Sequence, residues 1–385
     1  YGEAEHIREL AQRGTLIMVP THFSNLDSVL IGWVIHVLGL PPLIYGAGLN
    51  LFNIKLFAYF LNSVGAYKVD RRKKNFIYIE TLKMYSHLAL MKGAHSLFFP
   101  GGTRSRSGRI EKKLKRGLLG TAIEAQRSFL MGKNAEVRKI FIVPVTINYH
   151  FVLEAPTLIN EHLKATGQER YYREQDEYST SYKIFKFMVK FFTKGSNISV
   201  SLGRPMDVLG NYVGPEGESL DAKNRVIQID DYFKVDGKIT ENIQREAEYT
   251  RMLSERIVNE FHRINRVFAS HLVAFVAFRY WEKQNPHLDL FSLLRLPEED
   301  LEIDYETYKK AFSETLEQVM QLYEEGKLHI SNHLTNDIDT VIRHGLDNVG
   351  LYHMKRPLLL KKGKIITQNM TTLYYYHNRM DGYGL

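Results

Sequence analysis

The stretch Thr15-Leu-Ile-Met-Val19, followed by Pro20-Thr21-His22-Phe23-Ser24-Asn25-Leu26-Asp27, decides how this chain is read. Its first five residues are apolar or β-branched with no alternating polar face, the pattern of a strand buried on both sides. Pro20 ends the extended run. Asp27 leads into Ser28 to Leu38, an uncharged piece of helical character. A buried strand that passes through a short loop into a helix is the unit from which layered α/β domains are built. Four more runs have strand character: Ala66 to Val69, Ser96 to Phe99, Lys139 to Val143 and Asn197 to Leu202. The expectation is an α/β domain over residues 1–209.

Further along, the pattern changes. Residues 210–238 contain Gly-Asn-Tyr-Val-Gly-Pro-Glu-Gly-Glu-Ser and read as a linker or long loop. Residues 239–385 read as mostly helical: Leu253, Ile257, Phe261 and Ile264 recur at helical spacing, as do Phe312, Leu316, Val319, Met320 and Tyr323, with Gly326 as a C-terminal cap. The chain has no internal repeat or low-complexity tract. Ser28 to Ile54 carries no charge, but Gly32, Gly39 and Pro41-Pro42 interrupt it. Its helical part falls short of the roughly 20 apolar residues that span a bilayer, so a buried or interfacial helix is expected.

Composition narrows the chemistry. With 385 residues, 44% of them hydrophobic, the chain can bury a proper core, which excludes disorder as the main reading. Cysteine is absent, excluding a thiolate nucleophile, Cys-ligated zinc and disulfides. The net charge of +8 is unevenly placed. One basic cluster is Arg71, Arg72, Lys73 and Lys74; a denser one runs from Arg104 through Arg106, Arg109, Lys112, Lys113 and Lys115 to Arg116. Nucleic acid, an anionic membrane surface and a small phosphorylated substrate would each gain from such a field.

Three segments could carry chemistry. If Ser24 or Asn25 caps the helix, His22 stands on the loop before it and Asp27 in its first turn. The carboxylate could then take one imidazole N–H while the other ring nitrogen takes a proton from a hydroxyl. The third run leads into Pro100-Gly101-Gly102-Thr103-Arg104-Ser105-Arg106-Ser107-Gly108-Arg109, where glycines permit close backbone approach and arginines at alternate positions can grip one anion. The loop lacks the interleaved aromatics of a nucleic-acid surface. Arg71 leaves the second run near the strand ends, where ligands gather in α/β sheets. His36, His87, His95 and His150 lack metal spacing, and His333 with Asp337 and Asp339 is not taken as a metal site, so no metal is expected.

Taken in order, His22-x4-Asp27, Gly65-Ala66-Tyr67 through Arg71, Phe99-Pro100 through Arg109, and Ile142-Val143-Pro144-Val145 resemble the four motifs of the glycerolipid acyltransferases. Within that superfamily the chain is most similar to the long glycerol-3-phosphate acyltransferases of bacterial and mitochondrial type. Arg104 to Arg109, the stretch from Asn148-Tyr149 to Glu154, and Tyr374-Tyr375-Tyr376-His377-Asn378-Arg379 carry this closer likeness. The resemblance implies a layered acyltransferase domain with a central mixed sheet flanked by helices. It implies that His22 is the general base, that Asp27 orients it, that Arg71, Gly102, Arg104 and Arg106 bind glycerol 3-phosphate, and that Pro144 shapes the acyl-donor side. The donor would be acyl-CoA or acyl carrier protein, and such thioesters need no metal or cofactor. Lysophosphatidate or dihydroxyacetone-phosphate acyl transfer is the chief variant. A catalytically impaired membrane-binding homologue is the other reading, motivated by Gly101, where the family usually has Glu; on that reading Gly101→Glu should raise the rate. A phosphorylated alcohol becomes the first partner and an anionic membrane the second. Nucleic acid is not expected, and the protein should sit peripherally on the cytoplasmic face of a membrane, held by the basic clusters and apolar surface near Val29 to Leu40.

Overall fold

The computed structural model describes residues 1–48, 59, 65–70, 73, 75–132, 138–167 and 198–385. Helix α1 (Ala4–Arg13) packs Ile7 and Leu10 inward and delivers the chain to β1 (Gly14–Pro20). All seven residues of β1 are buried, because the strand has a parallel neighbour on each side. Then come α2 (Asp27–Val37), β2 (Ile44–Gly48), β3 (Ala66–Val69), α3 (Phe76–Met91), β4 (Ser96–Leu97), α4 (Arg116–Met131), β5 (Lys139–Tyr149), α5 (Ala155–Ala165) and β6 (Ile198–Leu202). The sheet order is β3-β2-β4-β1-β5-β6. Its first five strands are parallel and β6 runs antiparallel to β5, so the sheet is mixed.

Successive side chains on β1 and β5 feed opposite faces. Leu16, Met18, Phe141, Val143 and Val145 join one apolar cluster with α1, α2 and the later helices. Ile17, Val19, Ile140 and Ile142 join another with Leu119, Ala122 and Ile123 of α4. Each such side chain contributes about 1.5–3 kcal/mol by leaving water. Period-two geometry with no polar face thus makes three layers, helix on sheet on helix.

The sequence reading missed β2 and shortened β5. Ile44-Tyr-Gly-Ala-Gly48 lies within the uncharged stretch Ser28 to Ile54, and its two glycines give it weak strand character. In the sheet, however, a Cβ on Gly46 would meet Val69 Cγ2 at 2.9 Å, so the glycine admits the side chains of neighbouring β3. Pro144 hides the length of β5. It sits where the antiparallel partner bulges, between the pairings Val145↔Leu202 and Ile142↔Met206, and its carbonyl still accepts the Gly203 N–H at 2.8 Å. β4 is shorter than the apolar run Ser96 to Phe99 suggests.

Across 210–238, short strands at Tyr212–Val213, Ser219–Leu220 and Val226–Ile227 form a three-stranded meander, and Val213 and Phe233 are buried. Helix α6 (Ile243–Ile264) starts at Asn242, whose side chain accepts the Arg245 N–H, and buries Leu253, Ile257 and Phe261 against the second cluster, with Ile264 buried at its last turn. Helices α7 (Ala269–Gln284), α8 (Tyr305–Glu324), α9 (Ile338–Asn348) and α10 (Met370–His377) complete a helical C-terminal region that shares the first cluster with the sheet. On α8, Phe312 and Val319 are buried, whereas Tyr323 is exposed near the end of the helix.

Candidate active site

Parallel strands end at one edge of the sheet, and the loops after β1 and β4 meet there. Pro20 is the last paired residue of β1, and Thr21 N–H donates to the Val145 carbonyl at 2.9 Å, steering the loop across β5. His22 follows. Its Nδ1 lies 2.7 Å from Asp27 Oδ2, which also accepts the backbone N–H groups of Phe23 at 2.7 Å and Ser24 at 3.0 Å. Asp27 is fully buried and His22 is 7% exposed, so this contact is formed out of water. Neither Ser24 nor Asn25 is the helix cap. Leu26 occupies that position, and Asp27, the first residue of α2, gathers the loop N–H groups instead. Tyr149, the last residue of β5, donates its hydroxyl to Asp27 Oδ1 at 2.5 Å. Burial, with the Asp27 charge second, keeps the proton on that phenol far above its usual range. The Phe99 ring stacks on the imidazole at 4.1 Å. A carboxylate on Nδ1 assigns the proton to that nitrogen and leaves Nε2 as the acceptor.

The arginine loop is tied to the same place. Ser105 N–H donates to the His22 carbonyl at 2.7 Å, and Arg104 Nη1 pairs with Glu154 Oε1 at 3.1 Å. Glu154 in turn accepts Ser24 Oγ–H at 3.1 Å and Asn25 N–H at 3.0 Å, so one carboxylate joins the His22 loop to Arg104. Arg106 Nε pairs with Glu161 of α5 at 3.2 Å. Arg109 and Lys112 both pair with Asp381, at 2.9 and 3.2 Å. Gly102 has φ of +77°, a conformation that costs most side chains, and Lys115 lies over it. Pro144 is buried in β5, paired with Val19. Arg71 lies outside the described residues, as do residues 49–54 of the uncharged stretch. Thus His22 and Asp27 touch, Gly102, Arg104 and Arg106 stand on the loop held to His22, and Pro144 is in the sheet beneath.

The C-terminal segment closes the back of this site. Asn378 Nδ2–H donates to the Ser107 carbonyl at 2.8 Å, and Tyr376 Oη accepts the Val152 N–H at 3.0 Å. Arg379 is buried, with its guanidinium 3.8 Å from the Phe23 ring centroid and hydrogen bonded to the Ile147 carbonyl and Asn148 Oδ1. In the sequence Tyr149, Glu154 and Arg379 stand out only as marks of resemblance, with no role attached, and Glu111, whose carboxyl lies beside His22, carries no signal at all. Their spacing from His22 follows no local period, so only the fold reveals the contacts. A cavity of about 420 Å³, lined by Asn160, Phe291, Arg295, Lys355 and Met370 among others, lies elsewhere and is lined by none of the predicted site residues. Among the described residues no group of three or more His, Asp or Glu could hold a metal ion.

Residues 3–148 match the family model described as Acyltransferase. A glycerol-3-phosphate acyltransferase of Pseudomonas syringae pv. syringae is 30% identical over 271 residues, covering 70% of this chain and 29% of that protein. One from Ectopseudomonas mendocina is 30% identical over 203 residues, covering 52% of this chain and 22% of that protein. The matched part therefore spans less than a third of these relatives. Among solved structures, the 1-acyl-sn-glycerophosphate (LPA) acyltransferase PlsC from Thermotoga maritima aligns over 67% of this chain and 79% of that chain, with 14% identity and a TM-score of 0.30, too low to bear on the fold.

Proposed function

We infer, from the match of residues 3–148 to the Acyltransferase family model, that this chain moves a fatty acyl group from acyl-CoA or acyl carrier protein to the sn-1 hydroxyl of glycerol 3-phosphate, giving lysophosphatidate. The observation that carries this reading is the buried 2.7 Å contact between His22 Nδ1 and Asp27, on a loop hydrogen bonded to the Gly-Arg loop. His22 Nε2 takes the proton from the acceptor hydroxyl as its oxygen attacks the thioester carbonyl. The C–S bond then breaks, and the departing thiolate recovers that proton from the imidazolium. A base oriented in this way supplies typically 10²- to 10⁴-fold in rate. Asp27 holds the ring and offsets the charge it gains.

The phosphate is assigned to the basic loop, with Arg104, Arg106 and the backbone at Gly102, and to Arg71. Arg106 and Glu161 are each about half exposed, and such a pair contributes about 0–1 kcal/mol, little enough for a substrate phosphate to displace Glu161. Pro144 is assigned to the donor side. Attachment to the cytoplasmic face of a membrane is assigned to the basic residues with the exposed apolar side chains Trp33 and Val37 of α2 and Phe76 and Ile77 of α3. Among the described residues no helix is long and apolar enough to cross a membrane.

The test is acyl transfer to radiolabelled glycerol 3-phosphate with both donors, beside lysophosphatidate and dihydroxyacetone phosphate as rival acceptors. Glycerol 3-phosphate should be the preferred acceptor, and His22→Ala should lower kcat at least 100-fold. Wild-type turnover by His22→Ala would overturn the mechanism; preference for another acceptor would overturn the substrate.

A further inference from the structure

Gly101 and Glu111 belong to the long loop after β4, and the fold brings them into contact. A Cβ on Gly101 would lie 2.9 Å from Glu111 Oε1 and 3.0 Å from its Cγ, closer than real side chains pack. The side-chain space of position 101 is therefore filled by the carboxyl of Glu111. The next glycine repeats the arrangement, since a Cβ on Gly102 would meet Lys115 Cδ at 2.6 Å and Nζ at 2.9 Å. Both residues of this turn lack side chains of their own, and a carboxyl and an ammonium from the following segment lie over them.

Glu111 reaches the catalytic loop. Its Oε1 accepts the backbone N–H of His22 at 3.3 Å, while the His22 carbonyl accepts the Ser105 N–H at 2.7 Å. The peptide groups on both sides of His22 are thus held by the loop after β4, one through a backbone amide and the other through the Glu111 side chain. Asp27 and Phe99 set the plane of the ring, and these two bonds hold the backbone at His22 between the anchored neighbours Thr21 and Phe23. Glu111 Oε2 is buried and has no hydrogen-bond partner among the described residues. Burial raises the carboxyl to about 7, against the pull of its backbone hydrogen bonds. A buried carboxyl with one idle oxygen is an expensive way to fill space, which argues that its bond to His22 is what retains it.

We propose that Glu111 is a positioning residue for the base, holding the His22 backbone through Oε1, and that position 101 is glycine because a side chain there would expel that carboxyl. The proposal rests on the reading of His22 as general base. It also reverses the expectation for Gly101→Glu, which should lower the rate rather than raise it.

A double-mutant cycle tests it on the full chain. Glu111→Ala should lower kcat roughly tenfold, the equivalent of about 1.4 kcal/mol, with KM for glycerol 3-phosphate within about twofold. Glu111→Gln keeps an oxygen for the His22 N–H and should stay within about threefold of wild type. Gly101 lies outside the positive-φ region, so Gly101→Ala acts only through contact. It should cost about tenfold alone and less than about twofold when Glu111 is already Ala. Wild-type kcat in Glu111→Ala, or losses that multiply in the double variant, would overturn the proposal. Should Glu111→Ala fail to fold, as judged by thermal melting, Gly101→Ala at wild-type kcat overturns it equally. His22→Ala separates the readings: an active His22→Ala defeats the proposed function, whereas an inactive one with multiplying losses defeats only the role of Glu111.

Discussion

Asp27 accepts four hydrogen bonds while fully buried: the imidazole of His22, the backbone of Phe23 and Ser24, and the hydroxyl of Tyr149. A carboxylate without water is tolerable only when its lone pairs are met, and each bond also fixes an atom of the loop. Tyr149→Phe removes the one donor that Oδ1 has among the described residues and should destabilise the fold by about 1–3 kcal/mol. Because Asp27 orients His22, kcat should also fall, by roughly tenfold, with KM for the acceptor unchanged. Denaturant melts alongside steady-state kinetics check both, and an unaltered kcat would leave Tyr149 a structural residue only. His22 and Asp27 were legible as a pair because five residues of loop and first turn can hardly separate them. Tyr149 was not, because it arrives from a strand more than a hundred residues away.

At the scale of elements, the site is a meeting of loops, and Gly108 shows how closely they meet. Its φ is +82°, and a Cβ there would lie 2.2 Å from the Tyr375 carbonyl oxygen of α10. Both facts demand glycine. Gly108→Ala combines a left-handed backbone, costing about 1–2 kcal/mol, with a clash against backbone that has no rotamer to escape by. The expected result is a fall in melting temperature of several degrees together with a loss of acyl transfer, since the Arg loop and the C-terminal segment must separate. A melting temperature equal to wild type would refute the contact. The glycines of β2 teach the reverse lesson. Gly46 and Gly48 weaken the strand character of their segment, yet Gly46 makes room for Val69 and Tyr67 of the adjoining strand. Local propensity describes one segment, and a sheet edge is defined by two.

Over the whole molecule, charge and apolar surface divide the work. Several arginines of the dense basic cluster are paired with Glu154, Glu161 and Asp381, so the net charge of +8 overstates the field that a partner meets at that loop. Exposed Trp33, Val37, Phe76 and Ile77 lie on α2 and α3, helices that follow β1 and β3. If they and the basic residues hold a bilayer, the protein should sediment with anionic liposomes at low salt and with neutral liposomes less well. Trp33→Ser with Phe76→Ser should weaken both, and raising the salt should weaken only the anionic case. Recovery of the wild-type protein in the supernatant of anionic liposomes would refute the attachment.

The layered α/β class, the helical C-terminal region, the His22–Asp27 pair and the Gly-Arg loop followed from residue order alone. Each rests on local rules: an unalternating apolar run needs two buried faces, helical periodicity needs one, and short loops keep their ends together. The order of strands, the place of β2, and the convergence of Tyr149, Glu154, Glu111 and Arg379 on the His22 loop were decided only by the tertiary structure. These contacts join segments whose separation along the chain carries no period, and they are selected by packing and by the satisfaction of buried polar groups, which depend on every layer at once. Gly101 is the clearest case: in sequence it is a missing carboxylate, and in space it is the place where Glu111 lies.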